Sequence, residues 1–151
     1  MKPSLLSRAE GIALIGAVLL AIGLFLNWYD VAKLDAVAGI KGPVTLTGWQ
    51  AHPAIRYVLL LAAIAPIVLA YIVVRGHKLS WPRGEATAVV AIAAAGIIFY
   101  VAIVNKPGTV RSLTSTQIGV YVSLVGALLM AGGSAIRAST TERPRKPPGV
   151  I

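Results

Sequence analysis

Four long stretches without an acidic or basic side chain constrain this chain more than any other feature. They cover residues 11–29, 57–74, 86–105 and 112–136. Crossing the hydrocarbon core of a bilayer takes about 20 helical residues, and each stretch is close to that length. Lipid offers the backbone no hydrogen bonds, so a segment placed there must pair its own amides, and a helix does so. The expected fold class is an all-α membrane protein: a bundle of four transmembrane helices with a short β-hairpin-like first extracellular loop. The spans are drawn at about 9–29, 54–75, 84–105 and 115–137, within one domain of residues 1–138. Charged residues make up 13% of the chain, against about 25% in an ordinary soluble domain, and the segments are apolar all round instead of striped.

Charge decides the threading. The net charge of +9 comes from 14 basic residues that flank the spans, so it is not the footprint of a nucleic-acid partner. Nine of them (Lys2, Arg8, Arg75, Lys78, Arg83, Arg137, Arg143, Arg145 and Lys146) fall on one side in short segments. Five (Lys33, Lys41, Arg56, Lys106 and Arg111) fall on the other. The positive-inside bias puts the larger group, and with it both termini, in the cytoplasm of a multi-pass cell-membrane protein. Lys2 and Arg8 ahead of an apolar run also resemble a signal peptide. The run is long, however, and lacks a clean small-x-small site before Trp28, so a retained span is expected. Cysteine is absent, which excludes disulfide staples and thiol redox relays.

Span one closes on Phe25-Leu26-Asn27-Trp28-Tyr29-Asp30, an aromatic belt signature for the outer interface. In the loop that follows, residues 37–40 and 44–47 flank Lys41-Gly42-Pro43, which predicts a hairpin over the bundle. Pro66 lies mid-span and removes one backbone donor, so it predicts a kink in span two. Ser80 is the expected N-cap of span three, and Thr114 with Gln117 the expected capping box of span four. Residues 139–151 are polar, basic and proline-rich, a disordered cytoplasmic tail by composition.

Small residues form the sharpest pattern inside the spans. Gly119, Gly126 and Gly133 recur every seven residues with Ser123 among them, and Gly16 and Gly23 repeat the spacing in span one. Such faces let helix backbones approach closely, either within the bundle or between two copies. Trp28, Tyr29, Trp49, Tyr57, Tyr100 and Tyr121 belong near the outer interface, either as a belt or as a surface for a lipid or partner. Trp49 and the loop would then form its lid, with Gln50 and His52 among the possible interaction residues. Asp30, Asp35 and His52 do not match a metal-ligand spacing, and solvation is the expected state of all three. Glu10 and Glu85 sit at the cytoplasmic ends of their spans, where pairing with a basic group is expected. No Ser/His/Asp grouping, haem-type His pair or phosphate-cradling loop is present, so neither catalysis nor a cofactor or metal is expected.

Two pieces of the chain carry a resemblance: Leu24-Phe25-Leu26-Asn27-Trp28-Tyr29 and Leu46-Thr47-Gly48-Trp49-Gln50. Together they resemble small four-span bacterial membrane proteins of uncharacterised function, in which an aromatic end of span one precedes a Ser/Thr-Gly-Trp element. The layout is also distantly similar to that of claudin-like tetraspan proteins, with Gly48-Trp49 in place of their Gly-Leu-Trp and without their paired loop cysteines. Small multidrug transporters share the span count, but here Glu10 stands at a helix end and the first loop is long. The expected role is non-enzymatic: an accessory, scaffold or interaction subunit that binds a membrane-protein partner or a second copy. The alternative is a small oligomeric transporter or channel component built around Pro66 and the glycine faces.

Overall fold

A computed structural model describes residues 7–31, 44–75, 84–107 and 114–140. Among the described residues the element order is α1 (Arg8–Phe25), β1 (Asn27–Val31), β2 (Val44–Thr47), α2 (Gly48–Ala51), α3 (Ile55–Val74), α4 (Glu85–Ile103), β3 (Thr114–Thr116) and α5 (Ile118–Thr140). The helices α1, α3, α4 and α5 are long and apolar enough to cross a membrane. Each leaves large apolar side chains uncovered, among them Ile15, Leu61, Val89 and Leu128. Soluble monomers rarely expose apolar area on that scale.

The four long helices close a ring. α1 packs most extensively against α5, α4 lies on the other flank of α5, and α3 bridges α4 and α1. Ala17, Leu20, Leu59, Ala91, Ala94, Ile98 and Met130 fill the centre. At one end α1 starts from a reciprocal capping box. The Glu10 amide donates to Ser7 Oγ at 3.2 Å, and the Ser7 amide donates to the Glu10 carboxylate at 2.7 Å. α4 starts at Glu85, so the expected Ser80 cap is replaced by Gly84 at φ 99°, and Ser80 itself lies outside the described residues. A Cβ at Gly84 would stand 2.5 Å from the Ser134 carbonyl oxygen on α5, so glycine is required there for conformation and for space. α3 runs unbroken through Pro66, whose ring is buried inside the bundle.

The opposite end carries a three-stranded antiparallel sheet of order β2-β1-β3. Of the expected hairpin, Val44–Thr47 is a strand and pairs with β1, while residues 37–43 lie outside the described set. The cause is an early end to α1. Leu26 leaves helical geometry at ψ 162°, its amide returning to the Gly23 carbonyl, so 27–31 extends and offers two free edges. Thr114 sits in β3 and donates to the Pro107 carbonyl, so the expected capping box with Gln117 does not form. The Gln117 amide donates to the Trp28 carbonyl instead. α5 continues to Thr140, into the segment expected as tail, and residues 141–151 lie outside the described set.

Candidate functional site

The sheet end holds two linked aromatic groups, one buried and one exposed. The buried group begins with a β-bulge. Asn27 pairs with Thr47 and Tyr29 with Leu46, so Trp28 is an extra residue on β1. A bulge breaks the two-residue alternation of a strand, and here it turns both Trp28 and Tyr29 inward, each fully buried. They are therefore not members of an interfacial belt. Trp28 donates its indole N–H to the Gly23 carbonyl at 2.8 Å. Its ring is clasped by two glycines. A Cβ at Gly119 would stand 2.6 Å from the indole, and one at Gly48 would collide with it as well.

Tyr29 reaches across the bundle. Its hydroxyl proton goes to the Val101 carbonyl on α4, 3.0 Å away, and its oxygen lies 3.1 Å from His52 Nε2. A hydroxyl has one proton to give, so Tyr29 accepts from His52, which places a proton on Nε2 of the imidazole. Desolvation pushes the His52 imidazole below its usual range and the Tyr29 phenol above its own, so both are uncharged near neutrality. Trp28 and Tyr29 both meet the imidazole edge-on. His52, expected as a solvated group, is instead a buried link between the loop, β1 and α4.

The exposed group lies along the seam between α1 and α3. Phe25 and Trp49 stack with ring centroids 5.3 Å apart, and Tyr57 meets Trp49 edge-on at 5.8 Å. Arg56 places its guanidinium 4.9 Å from the Trp49 ring centre and 4.7 Å from that of Tyr57, and donates to the Trp49 carbonyl and the Tyr57 hydroxyl. Trp49 is held by a second capping box. The Gln50 amide donates to Thr47 Oγ1 and the Thr47 amide donates to Gln50 Oε1. Gln50 thus serves the cap and is itself exposed, while Phe25 and Tyr57 are more than half exposed.

The glycine pattern falls on the α1–α5 seam. A Cβ at Gly16 would stand 2.5 Å from the Gly126 carbonyl oxygen, one at Gly126 2.5 Å from the Leu20 amide nitrogen, and one at Gly133 2.6 Å from the Ala9 carbonyl oxygen. Gly23 faces the buried Ser123 at similarly close range, and Gly119 faces β1. Where this seam reaches the far end, the buried Glu10 carboxylate lies 3.2 Å from Arg137 Nε. The pair joins the first turn of α1 to the last turn of α5, each charge at the helix end whose dipole favours it. Glu10, Pro66, Thr87 and Ser134 border a cavity of about 10 Å³ there.

Sequence reasoning missed Arg56 and Phe25 as parts of the exposed cluster, and Glu10 as a cap. The Ser-x-x-Glu and Thr-x-x-Gln patterns at 7–10 and 47–50 are capping-box signatures and could have located two of these elements. No group of three or more His, Asp or Glu that could hold a metal occurs among the described residues. In comparisons with known proteins the chain matches no family model, no curated protein and no solved structure.

Proposed function

We propose that this is a multi-pass cell-membrane protein with a non-enzymatic interaction role, and that the Phe25–Trp49–Arg56–Tyr57 cluster is its contact for a membrane-protein partner. The observation that carries this reading is the rigid presentation of that cluster. Trp49 is fixed from behind by the capping box and by Gly48 against Trp28, while the neighbouring Phe25 and Tyr57 rings stay open. Preorganised aromatic rings with an arginine are the composition of interface hot spots. The four apolar helices support membrane insertion, and the basic-residue split supports cytoplasmic termini with the sheet outside. The cavity between the helices near Glu10 has room for about one water, so it offers the transport alternative no pathway at that place. The claudin-like resemblance enters this reading as layout only.

Two experiments test it. Cross-linked copurification from native membranes should recover a partner with the parent chain, and Trp49→Ala should reduce recovery per folded molecule at least tenfold. Ile92→Ala, on the exposed face of α4, should leave recovery unchanged. Equal recovery from all three chains would refute the contact. A cysteine at Ala38 should react with an impermeant reagent in intact cells and one at Ser139 should not; the reverse pattern would overturn the orientation.

A further inference from the structure

The α4–α5 seam, across the ring from the exposed aromatic cluster, holds a separate feature at the sheet end. It is a lateral groove of about 320 Å³. Its walls are apolar: Ile98 and Ala102 from α4, and Val120 and Leu124 from α5. At its rim stand Lys106, three residues past the end of α4, and Tyr121. The volume is at the lower end of sites that take organic ligands, about 300–1,000 Å³, which suits part of an extended chain.

Charge settles what kind of molecule fits. Among the described residues the Lys106 ammonium donates to the Thr114 carbonyl at 3.4 Å, which uses one of its three protons. Among the described residues no acidic side chain lines the groove. Of the three acidic side chains among the described residues, Glu10 and Glu85 are at the far end of the bundle and Asp30 is on β1. We infer that this groove is a binding site for an anionic phospholipid, with one acyl chain between α4 and α5 and the headgroup phosphate on Lys106. An acyl chain gains no hydrophobic drive on leaving bulk lipid for an apolar groove, so the walls supply only shape. Preference among lipids then comes from the charge of the headgroup and its basic partner.

The test uses the full chain purified in maltoside micelles. Lipid adducts are counted by native mass spectrometry during titration with phosphatidylglycerol or phosphatidylcholine of identical chains. The parent should retain one phosphatidylglycerol at about tenfold lower lipid concentration than phosphatidylcholine. Lys106→Gln should bring the two lipids within twofold of each other. Ala102→Phe, or Leu124→Phe where the first variant melts lower than the parent, fills the groove and should abolish the tight adduct of either lipid. An unchanged preference in Lys106→Gln, or a tight adduct that survives both groove-filling variants, would place the lipid elsewhere and overturn the inference. So would a dimer in place of the lipid adduct that persists in Lys106→Gln and dissociates on Ala102→Phe, since the occupant would then be another copy of the chain.

Discussion

Gly132 and Gly133 are adjacent on α5 and have opposite surroundings, so substituting each by alanine isolates the contact between α1 and α5. A Cβ at Gly132 meets nothing within 4 Å. One at Gly133 would stand 2.6 Å from the Ala9 carbonyl oxygen and 2.7 Å from the Ala13 amide nitrogen. Ordinary contact begins at 3.4 Å, so both backbone atoms of α1 are too close by more than half an ångström. Neither can rotate away as a side chain would, and relief requires the helices to separate. Overpacking of this kind costs about 1–3 kcal/mol. The gain in helix propensity from glycine to alanine, about 1 kcal/mol, is common to both positions and cancels in the comparison. Gly132→Ala is therefore expected to be neutral or stabilising, and Gly133→Ala less stable than it by about 1–3 kcal/mol. The difference is read from reversible unfolding in mixed dodecyl sulfate and maltoside micelles, with both variants at the same detergent ratio. Equal stabilities, within about 0.5 kcal/mol, would show that α1 is not seated on Gly133, and the assignment of the seam would fail. Gly126→Ala should behave like Gly133→Ala, and Gly126→Leu should be worse than either.

Other outcomes follow from the two ends of the bundle. Tyr29→Phe removes the bond to Val101 and leaves the buried His52 N–H without its acceptor. A loss of about 1–3 kcal/mol is expected in the same unfolding assay, and no loss would exclude the buried link. Because burial holds the His52 pKa below the ordinary histidine value of about 6.5, the unfolded chain binds the proton more readily than the folded one. This contribution to stability is therefore complete above about pH 6.5 and falls as the pH drops below it, levelling off beneath the folded pKa. His52→Gln should flatten that acid limb, and an unchanged limb would assign it to another group. Glu10→Gln leaves Arg137 facing a neutral amide. Arg137 retains 22% exposure, so the cost should be about 1–3 kcal/mol, below that of a fully buried pair, with Arg137→Gln costing a similar amount.

The presence of the long apolar helices and their approximate limits were legible in the chain, because compatibility with lipid is a property of one continuous stretch. The seven-residue glycine spacing was legible for a related reason. Residues seven apart share a helix face whatever lies opposite, although only the bundle shows that α1 and α5 face each other along it. The sheet end was not legible. Val44–Thr47 reads correctly as a strand from its alternation, yet its partner is chosen by where α1 stops, and that depends on Leu26 turning back to Gly23. Trp28 and Tyr29 look like an interfacial belt because aromatic residues at a span's end usually are one. A bulge of one residue, with Gly48 and Gly119 leaving space for the indole, buries them instead. His52 and Val101 meet through Tyr29, and Glu10 meets Arg137, only once the ring of helices has closed. Tyr29 and Val101 are 72 residues apart, and no local pattern encodes a bond over that distance. Segment identity is set by what each stretch can bury from water, while the fate of each polar or aromatic group is set by what the other segments bring to it.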